Sequence, residues 1–300
     1  MLRPLAIGAG LLAAAAGPLA APVAAAVVVD QTGAPTVLSA RDGRFVWSQQ
    51  RGSRWRLVTL AGGAVRPVAV APRAGGPFDV DLGADARGRP VATYSRGGRP
   101  FEFRFAARTG AAGVERPLEV RGLQGAGLRW PARDGRRVVA VARFRDSDIV
   151  VTGTAGGRLL PLAGGPRSSG RATHLDAAGG RIVLRWRDAR GTAIVLLTPG
   201  PPGVHAARRV LARAPAGSGR ALSSPGFDAG QAVWAEHRET VPGSAGRPCD
   251  CVHAFDLAAR AWLAPFESDT YAEITGIART RGRVLAADAL GTVADVTPSG

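Results

Sequence analysis

The chain has 300 residues, 41 of them Gly and 22 Pro, and 46% of it is hydrophobic. That apolar fraction excludes a wholly disordered chain, and the absence of a strict Gly-X-Y period excludes a collagen-like one. Every one of the 39 basic residues is Arg, set against 23 acids for a formal charge of +16, a pattern that GC-rich coding bias explains as well as an anionic partner does.

Residues 1–26 read as a signal peptide. Arg3 supplies the positive start, Leu5 to Ala16 is uncharged and apolar, Pro18 and Pro22 break the helix, and Ala24-Ala25-Ala26 offers the small residues of a cleavage site. The rival reading is a membrane anchor, since Leu5 to Val29 is long enough to span. Its Ala and Gly content drives insertion weakly, and no Cys follows for lipid attachment. Cleavage would leave residues 27–300 as one domain with a charge of +15, no stable membrane anchor, and a secreted, periplasmic or cell-envelope address.

Beyond residue 26, short runs of Val, Leu and Trp alternate with Gly-rich turns, which predicts an all-β fold. One pattern recurs six times: a turn, then Gly-Arg or Gly-Gln, then an apolar strand. Its glycines are Gly43, Gly88, Gly135, Gly180, Gly230 and Gly282, separated by 45, 47, 45, 50 and 52 residues. A period of that size fits a four-stranded propeller blade. The third and fourth positions after each glycine are both apolar, so both faces of the strand are buried, as in radially packed blades. The glycine itself is expected at positive φ, with Asp42, Asp134 or Gly179 before it.

Outer strands follow each copy, for example Trp55–Leu60 and Val65–Val70 in the first, and Asp148–Gly153 and Arg158–Leu162 in the third. The sixth copy ends at Thr292–Thr297, one strand short. Val27-Val28-Val29 has no other partner and is expected to complete it. The predicted architecture is a single six-bladed β-propeller whose last blade is closed by the mature N-terminal strand, which removes an aggregation-prone edge.

Asp42-Gly43-Arg44-Phe45-Val46-Trp47-Ser48 and Asp134-Gly135-Arg136-Arg137-Val138-Val139 resemble the repeat of TolB-like, or WD-like, β-propellers, and Pro77 to Arg96 resembles a full copy. The likeness spans roughly residues 35–297. The Ser-Pro that usually precedes Asp-Gly is replaced by Ala40-Arg41 and Ala132-Arg133, and copies four to six lack the Asp. The resemblance implies a propeller that binds proteins in the envelope, and it carries over no catalytic residue.

Several constellations could carry chemistry. Cys249, Cys251 and His253 share one face of a strand and could meet a metal, but in an oxidising compartment a local Cys249–Cys251 disulfide, or free or intermolecular thiols, compete with that reading. Asp79, Asp81 and Asp85 offer oxygen ligands for calcium or, with less demand on geometry, turn residues; Asp146-Ser147-Asp148 reads as a hairpin tip. Glu236-His237-Arg238-Glu239 is either an acid–base site or a solvated face. Trp55-Arg56 and Trp186-Arg187 could stack and grip phosphate, or pack between blades. Asp81 and His174 are placed near the central channel.

These observations support a non-enzymatic scaffold that binds an envelope protein or peptide, with no cofactor, no metal site and no nucleic acid partner. The alternatives are a binder of anionic glycan or wall polymer, drawn by the Arg excess, and a propeller-based hydrolase or lyase. Carboxylates converging at the channel would favour the enzyme; scattered surface Arg would favour the scaffold.

Overall fold

The structure, a computed structural model, describes residues 26–106, 113–166, 169–201, 204–239, 249–267 and 273–298. The signal segment lies outside them except for Ala26. Among the described residues the chain is all strand and turn, in a propeller-like arrangement, with no helix long and apolar enough to cross a membrane.

The turn glycines set the local geometry. Gly43, Gly88, Gly135, Gly180, Gly230 and Gly282 all have φ between 66° and 83°. At four of these turns the preceding residue also has positive φ (Asp42 52°, Gly179 57°, Ala229 42°, Arg281 49°). Those four hairpins close with two-residue loops between the pairs Arg41–Arg44, Ala178–Arg181, Asp228–Gln231 and Thr280–Arg283. Two successive positive φ values match the twist of the flanking strands, and glycine carries the second without steric cost. The strand that follows is buried on both faces, as in Phe45-Val46-Trp47 and in the run Val138 to Ala142.

Among the described residues the strands pair into five sheets. Leu38–Arg41, Arg44–Arg51, Arg54–Ala61 and Ala64–Pro67 form one, and Arg171–Ala178, Arg181–Asp188, Gly191–Thr198 and Ala207–Pro215 another. In a third, Arg220–Leu222 and Gly226–Asp228 both pair Gln231–Arg238, which pairs Cys249–Asp256; Ala261–Trp262 and Phe266–Glu267 complete its outer side. Val27–Gln31 pairs Thr292–Asp295 antiparallel, followed inward by Arg283–Asp288 and Ile274–Thr280.

Six separate sheets are expected from the repeat, and here the structure departs from it. Asp81–Ala84, Pro90–Arg96, Arg99–Arg104 and Val114–Pro117 share an eight-stranded sheet with Gly127–Asp134, Arg137–Arg143, Asp148–Thr154 and Leu160–Pro161. The halves meet at one parallel register pair, Ala84–Asp134, with the Gly135 amide donating to the Ala84 carbonyl at 3.1 Å. Gly83 is the cause. A Cβ there would lie 2.0 Å from the Arg133 carbonyl oxygen, so only glycine lets the backbones come this close.

The core is a set of six apolar clusters sandwiched between neighbouring units. Trp55 and Leu57 meet Leu82 and Tyr94; Val139 and Val141 meet Leu184 and Trp186; Leu38 and Trp47 meet Leu285 and Ala287. The first strands of the units pack on one another, Ile274–Thr280 touching both Leu38–Arg41 and Gly226–Asp228.

Candidate functional site

Where the first strands converge, two carboxyl groups meet. Asp81 is fully buried, and its Oδ1 accepts a hydrogen bond from Ser39 Oγ at 3.2 Å, while that hydroxyl oxygen accepts from the Leu82 amide at 2.7 Å. The Asp176 carboxyl lies close enough to that of Asp81 for each to perturb the other, and Asp176 Oδ2 accepts from the Phe227 amide at 2.7 Å, while Asp81 Oδ2 is buried without a hydrogen-bond partner among the described residues. Side chains 42 and 95 residues apart in sequence thereby come together from three units of the fold.

Burial raises Asp81 well above the ordinary carboxylate value, and the neighbouring Asp176 charge adds to the effect. Asp176 is raised by burial too, against the pull of Asp81 and of the Phe227 and Ala177 amides. Two buried carboxyls so close do not readily ionise together, so the pair keeps at least one proton above the ordinary carboxylate range.

Asp176 forms part of the wall of a cavity of about 400 Å³. The hairpin ends Arg41-Asp42, Gly179 and Arg181, Asp228 to Gly230 and Thr280-Arg281 enclose it, with Phe227 and Leu257 as apolar wall. Gly43 serves a second purpose here: its amide donates to Thr280 Oγ1 at 2.9 Å, and the Arg281 stem lies 3.2 Å from where a Cβ would sit. The charges are partly spent: Arg279 lies 3.4 Å from Asp228, and Arg41 3.6 Å from Asp42. Arg181 donates only to the Leu257 carbonyl, at 3.4 Å, and among the described residues neither Arg181 nor Arg281 has a carboxylate within 4 Å.

The other residues singled out in the sequence do not join this cavity. His174 is buried edge-on to Trp130, ring centroids 5.2 Å apart; burial first, and then Arg185, lower it to about 3, so it is neutral. Trp55 and Trp186 are buried in inter-unit clusters. Arg56 is bound to Gln49 Oε1 through Nε at 2.8 Å, and Arg187 is exposed. Asp79, Asp81 and Asp85 diverge: Asp79 accepts from the Ser95 and Trp130 amides, and Asp85 forms the turn, accepting from the Arg87 and Arg89 amides.

Asp148 is not a solvated hairpin tip. It is fully buried, held by Arg143 and Arg171 and by the Ala172 amide at 2.9 Å, because the hairpin leans on the next unit. Glu236 is likewise buried, gripped by both Nε and Nη2 of Arg220, and His237 pairs Asp250 at 2.8 Å. Cys249 and Cys251 sit at the start of one strand, Cα atoms 5.4 Å apart with their sulfurs in contact. His253 stacks on Trp234, ring centroids 5.7 Å apart, and among the described residues no group of three His, Cys, Asp or Glu could hold a metal.

Sequence reasoning missed Asp176, Arg41, Arg181 and Arg281. Three of these flank the repeat glycine (Arg41 two before Gly43, Arg181 after Gly180, Arg281 before Gly282), so aligning the repeats would place them at one end of the fold.

No protein-family model matches the chain, and no curated protein matches it by sequence. Solved structures do. The chain is similar to one in a nidogen/laminin complex at 15% identity and TM-score 0.53, covering 82% of this chain and 85% of that one. It also matches a Lactobacillus plantarum protein (12% identity, TM-score 0.49, 85% and 77% covered) and the computationally designed Ika8 protein (15%, 0.45, 87% and 70%). At such identities the likeness to the first defines the class, a β-propeller-like fold, and nothing finer.

Proposed function

We propose that the chain is an exported, non-enzymatic β-propeller that binds a protein or peptide segment at its axial cavity, at the cell envelope. Within the class, the Asp-Gly repeat supports a TolB-like or WD-like propeller of six blades. The eight-stranded sheet counts as two blades, since a single register pair joins its halves. Val27–Gln31 acts as the outer strand of the last blade, and the packing of Ile274–Thr280 against Leu38–Arg41 supports a closed ring.

The observation that carries the binding reading is the cavity itself. Its wall presents two guanidiniums, Arg181 and Arg281, without carboxylate partners among the described residues, beside a carboxyl pair that burial keeps at least partly protonated. That balance suits an acidic side chain or chain terminus inserted from a partner. The carboxyls do converge, which was the criterion for an enzyme. Asp81, however, has no exposed surface, and its hydrogen bonds hold neighbouring units together, a structural task.

The test is capture from native cell envelope by the tagged mature chain, wild type against Arg181→Glu/Arg281→Glu, washed at low and high salt. A discrete protein band that survives high salt and is lost in the double variant supports the proposal. A band unchanged by the substitutions, or no band with either chain, overturns it.

A further inference from the structure

A second cavity, about 380 Å³, lies at the turn end of the eight-stranded sheet and shares no lining residue with the first. Arg87, Arg89, Arg104, Arg116 and Arg133 line it, with Asp85 and Ala86. The fold brings them together from three strands and one turn: Arg87 and Arg89 from the Asp85–Arg89 turn, Arg104 and Arg116 from adjoining strands, and Arg133 across the close approach that Gly83 permits.

Among the described residues two carboxylates answer these five guanidiniums. Asp85 takes Arg89 through Nε at 2.9 Å and Nη2 at 2.7 Å. Glu102, whose side chain is wholly buried, lies behind the cavity and takes Arg104 Nε at 2.8 Å and Arg116 Nε at 2.5 Å, with Arg133 Nη1 at 3.5 Å. Three positive charges are therefore uncompensated locally. The donors are also unspent: Arg104 and Arg116 use only Nε, so their terminal nitrogens remain available, and Arg87 has no carboxylate within 4 Å among the described residues. Arg133, with a side chain only 4% exposed, keeps an Nε with no hydrogen-bond partner. Several guanidinium forks converging on one concave site form an arrangement that recognises a tetrahedral oxyanion through paired hydrogen bonds.

We propose that this arginine cavity binds phosphate, either as the free anion or as a phosphate group of an envelope polymer. Glu102 and Asp85 fix the guanidinium planes, while Arg87 and the terminal nitrogens of Arg104 and Arg116 reach the ligand. The site is independent of the axial cavity, so either proposal can fail alone.

The test is calorimetric titration of the mature chain with inorganic phosphate and, separately, with a polyphosphodiester, both at constant ionic strength. The variants are Arg87→Ala and Arg87→Lys, with Arg281→Ala as the control at the axial cavity. Arg87 is exposed and its side chain holds no other group, so melting in chloride buffer should be unchanged. The expected result is saturable binding, weakened about tenfold by Arg87→Ala, partly restored by Arg87→Lys and unaffected by Arg281→Ala. Binding of inorganic phosphate alone identifies a free-anion site, and binding of the polymer, with or without the free anion, identifies a polymer site. Absence of saturable binding by both ligands overturns the proposal, as does binding that Arg87→Ala leaves intact.

Discussion

Replacing Gly135 with valine should destabilise the protein for a reason separable from packing. Its φ is +66°, and a Cβ built there would meet nothing within 4 Å, so the cost is conformational alone. Forcing an L-residue into the left-handed region costs roughly 1–2 kcal/mol, and a β-branched side chain lies at the upper end. The smaller entropy of the substituted unfolded chain returns about 0.4–1 kcal/mol. A net loss of about 1 kcal/mol remains, or a fall in melting temperature of roughly 2–4 °C for a domain of this size. Asn tolerates the same region and should cost less than half as much. Gly83→Ala supplies the contrast: its φ is ordinary, but the new Cβ would lie 2.0 Å from the Arg133 carbonyl oxygen, so the two strands must part at about 3 kcal/mol or more. Thermal melts of the four proteins at one pH decide the matter. An unchanged melting temperature for Gly135→Val, or a loss for Gly135→Asn as large as for valine, would refute the turn assignment.

Three further outcomes are expected. His174 is lowered to about 3 by burial, so below pH 6.5 the unfolded chain takes up a proton that the folded one refuses; stability is lost as pH falls from 6.5 toward 3, by roughly 5 kcal/mol at the lower end, and a His174→Gln variant should lack that component of the acid melt. The Asp81–Asp176 pair has the opposite sign: its raised values mean that the folded state holds the extra proton, so stability falls as pH rises above the ordinary carboxylate range. Asp81→Asn, which mimics the protonated partner, should flatten that slope and gain on wild type toward alkaline pH, and an equal loss at every pH would contradict the retained proton. Intact mass before and after reduction and alkylation should show Cys249 and Cys251 joined as a local disulfide, with both thiols refusing alkylation until reduced.

What the sequence made legible was what depends on near neighbours. The six turn glycines announce themselves because positive φ is a local demand, and the apolar runs after them because a strand buried on both faces must be continuous. The site was less legible because it is assembled from distance. Asp176 carries no local signal; it matters only because it meets Asp81 across the fold. The arginine cavity has the same character, drawing Arg87 from a turn and Arg104 and Arg133 from separate strands in a chain where Arg is everywhere. Asp148 reads as a turn residue in its own hairpin and becomes a buried anchor only through Arg171 of the next unit. Gly83 was the one overlooked local clue, a glycine in the middle of a buried strand, where it marks a close backbone approach.

The closed ring is the claim on which the axial cavity depends, and a crosslink tests it directly. Val28 lies opposite Ala294 in the antiparallel register of the first and last strands. With Val28→Cys and Ala294→Cys introduced together, mild oxidation should join the two ends in most molecules, seen as a faster-migrating band on a non-reducing gel and as a raised melting temperature. Free thiols at both positions after oxidation would mean that the N-terminal strand does not close the propeller.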